Sequence, residues 1–399
     1  MKILLLAPHP FYQDRGTPIA VDLLARTLAA RGESVDILAY HEGEKRDYPE
    51  NVTVRRIAPP PGVKNIRPGL SAKKLVCDAG MMFEALSMAG KGNYDVIHAV
   101  EESVFMAMLI KKRRGIPYIF DMDSSMPAQM AQSHPFMKIF LPFLGCMEKT
   151  AIRGALSVVP MCRALAAQAV KGGAADVRVL HDIPLTERPG EKHVNAGKLP
   201  RGKITFLYLG NLEQYQGADL MLNSLQIVLK TFPEATLIVA GGAPNHIAKY
   251  KAMAARLGAE KQTHFLGPKP TNMMKSLFEQ ADILLSPRLS GTNTPMKIYS
   301  YMASGKPVVA TNLPTHTQVL NRETAALADP YPSQFAAAMI KLAGNPELRR
   351  KIGNNAKKKA AEKYSHAAFV RTVNELYDYI RQQTANTKQN IQAGLRQQP

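Results

Sequence analysis

The chain's 399 residues suffice for two or three domains at roughly 100 to 200 residues each. Hydrophobic residues at 46% and charged residues at 21% are ordinary soluble usage, which excludes a mainly disordered chain or a bundle of membrane spans. Lys and Arg outnumber Asp and Glu by 51 to 32, a formal charge of +19; this predicts an anionic partner, whether nucleic acid, acidic lipid headgroups or a phosphorylated small molecule, or else a diffuse solubilising surface.

The apolar run at 3–7, stopped by Pro8-His9-Pro10, is too short for a signal peptide and reads as a first buried strand. Asp14-Arg15-Gly16-Thr17-Pro18 then leads into a helical run closed by Gly32. Here Thr17 suits the N-cap, Pro18 suits the first helical position, and Gly16 lets a ligand approach the backbone. β-Branched runs at 34–40, 52–57, 95–100, 117–123 and 156–161 alternate with helical patterns, the signature of a parallel sheet. His9 and His98 fall at strand ends and read as satisfied structural histidines. Asp121-Met122-Asp123 superficially matches a metal-binding carboxylate pair, but the strand end announces no cradle, so no metal is expected and Asp121 reads as a loop cap or hydrogen-bond acceptor. Cys77, Cys146 and Cys162 are far apart, which predicts neither disulfides nor a thiolate zinc site and fits a reducing cytoplasm. The apolar run at 139–147, with Phe136 and Met137, is too short to span a bilayer; it reads as an interfacial helix or as a core helix interrupted at Pro142.

After a polar stretch at 187–203 the pattern restarts, with strands at 204–209, 235–240, 263–267, 281–286 and 307–311. Two doubly wound α/β domains follow, at 1–190 and 200–365, with a helix at 366–381 packing back on the first and a polar tail at 382–399 expected to be disordered. In such sheets ligands sit beyond the carboxyl ends of the strands. The eight-residue connection from Gly210 through Asn211 and Gln216 to Gly217 is long for packing alone, and Gly241-Gly242 offers bare backbone. Gly291-Thr292-Asn293-Thr294-Pro295-Met296-Lys297 repeats the punctuation of the first loop, with Thr294 as cap and Pro295 next. Lys297 in the first helical turn opposes the helix dipole unless an anion pairs with it. A diphosphate between Lys297 and Arg288, on the N–H groups of Asn293, Thr294 and Met296, would explain the arrangement.

At these residues the chain resembles the retaining GT-B glycosyltransferases of family 4 over nearly its whole length. The ordered matches are the N-terminal glycine loop with Leu24-Ala25-Arg26-Thr27-Leu28-Ala29-Ala30-Arg31-Gly32, Asp95-Val96-Ile97-His98, Gly115-Ile116-Pro117, Tyr208-Leu209-Gly210 with Gly217, and Tyr301-Met302-Ala303-Ser304-Gly305-Lys306-Pro307-Val308-Val309. The resemblance implies two Rossmann-like domains facing a cleft, the second holding a nucleotide-sugar and the first an acceptor. Asn211 and Gln216 stand where the family carries an Arg and a Lys, and Thr292 and Ser300 where it carries two glutamates. Asp123 falls at the place of the family's catalytic histidine.

The implied reaction transfers a sugar from a nucleoside diphosphate to a hydroxyl with retention. Asp123, Arg288 and Lys297 are expected in catalysis. Gly16, Thr17, Gly210, Asn211, Gln216, Gly242, Asn293, Thr294, Met296 and Ser300 are expected to bind the donor, with neither metal nor other cofactor. A lipid-linked or envelope-glycan acceptor and an anionic surface at the inner face of the cell membrane are the expected partners; nucleic acid is not, since no recognition motif appears. A sugar-nucleotide epimerase of similar architecture, or a catalytically weak sugar-nucleotide binder, are the alternatives.

Overall fold

The computed structural model describes residues 1–66, 69, 71–127, 141–187 and 192–396. Two compact units divide the chain, Met1–His181 with Phe369–Pro399, and Asp182–Ala368. The first carries β1 (Lys2–Ala7), β2 (Ser34–Ala39), β3 (Val52–Arg56), β4 (Val96–Val100), β5 (Tyr118–Met122) and β6 (Ser157–Pro160). They pair in the order β3-β2-β1-β4-β5-β6, every pair parallel. The second carries β7 (Ile204–Leu209), β8 (Ala235–Ala240), β9 (Thr263–Gly267), β10 (Ile283–Ser286), β11 (Val308–Thr311) and β12 (Ala326–Ala328), ordered β12-β11-β10-β7-β8-β9 and again parallel. Each unit thus has the same doubly wound order, read in opposite directions.

The central strands β1 and β7 are continuous apolar runs because helices cover both faces of their sheets. In the first unit these include α1 (Gly16–Ala30), α2 (Ala72–Lys91), α3 (Val104–Arg114), α4 (Leu141–Gly154) and α5 (Arg163–Gly172). α2 starts where Ser71 accepts from the Lys74 amide at 3.2 Å, and buries Cys77, Met81, Ala85 and Met88 at helical spacing. In the second unit α6 (Ala218–Thr231), α7 (Pro244–Arg256), α8 (Met274–Glu279), α9 (Lys297–Ser304), α10 (Pro314–Thr317), α11 (Pro332–Ala343) and α12 (Pro346–Lys363) play the same part.

The order of the strands fixes where ligands can bind. In the first unit the chain leaves β1 toward β2 and leaves β4 toward β5, so the loops after β1 and β4 diverge; the loops after β7 and β10 do so in the second. Such a switch point opens a crevice at the carboxyl edge of a sheet.

The last helix, α13 (His366–Arg396), begins in the second unit and packs on the first. Tyr377 is fully buried there, Arg31 donates to Asn374 Oδ1 at 3.1 Å and pairs with Asp378, and Arg381 donates to Glu33 at 2.6 Å. Helix runs through Arg396, which corrects the expectation of disorder from 382 onward. Gln, Ala, Asn and Lys there extend an existing helix, which avoids the cost of nucleating one. Residues 397–399, and 136–140 of the apolar segment, lie outside the described residues. From Leu141 that segment is helical, with Pro142 in the first described turn and Phe143 exposed. Among the described residues no helix is long and apolar enough to cross a membrane.

Candidate functional site

At the switch point of the second sheet the loops after β7 and β10 are pressed together. Gly217, at φ +76°, has Pro287 O where a Cβ would stand, 1.9 Å away, so only glycine lets the backbones approach this closely. Lys297 is the first residue of α9, and its half-buried side chain turns back onto the end of β7. Its Nζ donates to Leu209 O at 3.0 Å and lies 4.1 Å from the centre of the Tyr208 ring. Loss of hydration, with Arg288 adding repulsion, lowers its pKa to about 7. Tyr208 is itself fixed by donating to Asn211 O at 2.6 Å.

Arg288, two residues past β10, donates through Nε to Ser290 O at 2.7 Å and through Nη2 to Asn293 Oδ1 at 3.2 Å, and packs over the Tyr215 ring. Its backbone is anchored too, since Thr311 Oγ1 donates to Arg288 O at 2.5 Å. His316 bridges Ser286 Oγ at 2.8 Å and Thr311 Oγ1 at 3.0 Å, joining the ends of β10 and β11; burial lowers its pKa to about 3 and keeps it neutral. Two polar atoms stand apart from this network. Thr294 Oγ1 and Gln216 Oε1 are buried without a hydrogen-bond partner among the described residues. An orphan of this kind costs about 1–3 kcal/mol, so two in loops at one switch point make this the candidate ligand site of the second unit.

Gly210, Asn211, Gln216, Arg288, Asn293, Thr294, Met296 and Lys297 all fall on the loops after β7 and β10 or the turn entering α9, and Gly242 follows β8. Ser300 is differently placed: it is fully buried, and its hydroxyl oxygen accepts from the Leu185 amide at 2.9 Å, tying down the segment that enters the unit. The helix starts also depart from expectation. α9 begins at Lys297 with Met296 before it, so Thr294 is not its cap. α1 begins at Gly16 after an extended Arg15, so Thr17 lies in its first turn and caps nothing. The helical hydrogen bonding starts before the first Thr-Pro pair and only at the proline of the second: Ile19 N donates to Arg15 O at 3.1 Å and Ile298 N to Pro295 O at 2.9 Å.

In the first unit, Asp123 sits just past β5, half-buried. Asp121 instead receives His98 Nε2 at 3.2 Å, and His98 Nδ1 meets Tyr377 Oη at 2.9 Å, so His98 is satisfied at both nitrogens. His9 is not. Its Nδ1 meets Pro10 O at 3.2 Å, while its buried Nε2 has no partner among the described residues. Arg15, which the sequence offered as a diphosphate contact, and Lys74 from α2 both act on His9; both also act on Glu101, which with Glu102 follows β4 directly, and Lys74 pairs with Glu102. Glu101 occupies the left-handed region at φ +49°, which strains a non-glycine backbone. Burial and the neighbouring Glu102 carboxylate raise its pKa to about 7. For Glu101 and Glu102 the signal in sequence was two glutamates following a buried strand.

Comparison with known proteins places these units. The model of group 1 glycosyl transferases matches residues 190–359, and that of the glycosyl transferase 4-like domain matches residues 15–181. The D-inositol 3-phosphate glycosyltransferase of Corynebacterium glutamicum is 28% identical over 204 residues, 49% of this chain and 48% of that one, so the chain spans about half the length of this curated relative. The phosphatidyl-myo-inositol mannosyltransferase of Mycobacterium tuberculosis is 23% identical over 349 residues, 85% of each chain. Among solved structures, sucrose-phosphate synthase from Thermosynechococcus elongatus is similar with a TM-score of 0.77 at 17% identity, over 96% of this chain and 99% of that one. Anabaena Alr3699/HepE, solved in complex with UDP and glucose, has a TM-score of 0.70 at 13% identity, over 95% and 99%.

Proposed function

The chain belongs to the group 1 glycosyltransferases, family 4, with the GT-B fold, and from that premise we propose that it moves a sugar from a nucleoside diphosphate to a hydroxyl acceptor with retention at the anomeric carbon. The observation that carries the reading is the second unit's switch point, where Arg288 and Lys297 flank two orphaned polar atoms, Thr294 Oγ1 and Gln216 Oε1. The bond that breaks joins the anomeric carbon to the diphosphate, and negative charge grows on the departing phosphate oxygens. Two cations already held in place oppose that charge without reorganising, which is the most effective form of electrostatic stabilisation.

Lys297 suits this role because its present partners are weak. A carbonyl oxygen and a ring face do not neutralise an ammonium, and a phosphate would return its pKa toward the ordinary value. A relative's fold solved with UDP and glucose supports a nucleotide-sugar donor. Acceptor selection is assigned to the first unit, with Asp123 orienting the hydroxyl. The lipid-linked or envelope-glycan acceptor, and work against an anionic membrane surface, rest on the +19 charge and on the apolar sequence at 136–147.

Screening UDP-, GDP-, ADP- and dTDP-sugars by thermal shift tests the donor, because ligand bound only to the folded state raises the midpoint. NMR of the product formed with the binding donor tests retention. A flat response to every donor refutes the proposal, and isomerised donor formed without acceptor would make the chain an epimerase.

A further inference from the structure

The loop that leaves β10 is held from one side by three side chains of a single segment. Thr311, the last residue of β11, donates through Oγ1 to Arg288 O at 2.5 Å. Thr315, fully buried in α10, donates through Oγ1 to Asn293 O at 2.7 Å, and Gln318, directly after that helix, donates through Nε2 to Thr292 O at 2.7 Å. Packing does not call for the last of these bonds, because Thr292 is exposed and water would serve its carbonyl equally well. What the bonds fix is direction. The peptide bonds after Thr292 and Asn293 are trans, and in a trans peptide the N–H of the next residue points away from the carbonyl. Thr315 and Gln318 follow β11, which borders β10 on the side away from β7. The two carbonyls are drawn to that side, so the amides of Asn293 and Thr294 face the side of β7, where the crevice opens.

We propose that Thr315 and Gln318 are positioning residues, a latch that holds the Asn293 and Thr294 amides toward the donor's diphosphate. The inference rests on the transferase reading and deepens it by naming what orders the donor loop. The same latch reaches Arg288. Asn293, whose carbonyl Thr315 holds, accepts Arg288 Nη2 on Oδ1 at 3.2 Å, while Ser290 O takes Arg288 Nε at 2.7 Å. That commits Nε and one Nη2 hydrogen and leaves the Nη1 edge of the guanidinium for phosphate oxygens. Thr294 also carries the hydroxyl that has no partner among the described residues, so the residue the latch orients is one already short of a bond. Donors fixed before the ligand arrives need no reorganisation when charge grows on the departing diphosphate.

T315V keeps the shape of Thr315 and deletes its donor, T315S keeps the donor, and Q318M keeps the length of Gln318 and deletes its amide. Affinities of the full-length proteins for UDP, GDP, ADP and dTDP, and for the matching nucleosides, are measured by ligand-observed NMR. The nucleoside carries no phosphate, so the ratio of the two affinities isolates the diphosphate contact, which a change in general stability does not move selectively. Wild type should bind at least one nucleoside diphosphate more tightly than its nucleoside. T315V and Q318M should each weaken that diphosphate roughly tenfold with the nucleoside unchanged, and T315S should stay within about twofold of wild type. Thr292 is exposed, so Q318M strands no buried group, and it decides by the same ratio if T315V does not fold. The proposal falls if either folded variant binds the diphosphate normally, if nucleoside and diphosphate weaken together, or if T315S weakens binding as much as T315V. Any of these results beside wild-type diphosphate binding overturns the latch alone; a wild type that binds no diphosphate overturns the donor reading on which the latch rests.

Discussion

Replacing Lys297 by Met keeps most of the aliphatic stem and removes the ammonium, so it isolates what the charge does. With a pKa of about 7 in the folded protein against an ordinary 10.5, holding the proton at neutral pH costs ~4 kcal/mol at full value. The side chain is half-buried, and the variant also loses the bond to Leu209 O and the contact with Tyr208, so a net gain of ~1–2 kcal/mol is the expected outcome. For a domain of this size that raises the thermal midpoint by roughly 2–8 °C. The sign with pH is fixed. The lowered pKa means that the unfolded chain binds more protons between about 7 and 10.5, so wild-type stability receives a rising contribution across that window, which K297M lacks. Donor binding should move the opposite way: losing a charge-assisted contact to phosphate costs ~1.5–3 kcal/mol, a weakening of roughly 10- to 150-fold. Differential scanning fluorimetry at several pH values, with and without the donor found by screening, reads both effects. A variant that is less stable than wild type yet binds donor normally would show that Lys297 is a structural brace, and the reasoning would fail.

Thr294→Val removes the orphaned hydroxyl without changing shape; donor-free stability should rise by ~1 kcal/mol in chemical denaturation while donor affinity falls. Gly217→Ala places a Cβ against Pro287 O at a positive φ, so a loss of ~1–3 kcal/mol and weaker donor binding are expected in the same assays. Tyr377→Phe leaves His98 Nδ1 without its partner and should lower stability by ~1–2 kcal/mol, with faster proteolysis of α13; unchanged cleavage would mean that the hydrogen bond does not secure the helix. Asp123→Asn should leave donor binding intact and reduce turnover by ~100-fold or more, measured as product formed per enzyme at saturating donor.

The sheets were legible because their central strands are bare apolar runs. Ile3 to Ala7 and Ile204 to Leu209 need no tertiary information to be read as buried. β12 left no such mark: it has three residues, Ala326–Ala328, and pairs only at the sheet edge with β11. The Thr-Pro pairs were read as N-caps, and the structure places them otherwise. They sit at helix starts, but Arg15 and Met296 hold the cap positions: at α1 the hydrogen bonding begins two residues ahead of Thr17, whereas at α9 it begins only at Pro295 and the helix starts after it. Lys297 could be proposed from charge against dipole, and Arg288 from its place just past the end of β10, since both signals are local. Whether a polar atom is satisfied is not local. Nothing in sequence distinguishes His9, with one nitrogen unfilled among the described residues, from His98, whose partner Tyr377 lies 279 positions away.

The substituted donor motif acquires a physical meaning from where Lys297 ends. The resemblance places two cations on the loop after β7, where this chain has Asn211 and Gln216. Lys297 starts from a different element, the first turn of α9, yet its Nζ reaches Leu209 O, the last residue of β7, at 3.0 Å. Charge therefore arrives at the mouth of that loop from the opposite wall. A helix-borne cation is held by backbone geometry more firmly than one on an eight-residue loop, and Tyr208, fixed by Asn211 O, supports it from beneath. The neutral Gln216 and Asn211 then avoid a like-charge neighbour, which would push the Lys297 proton off altogether at neutral pH. A cation on that loop as well would add repulsion beside Lys297 and Arg288, whereas the two cations present set the positive charge the crevice offers to a diphosphate.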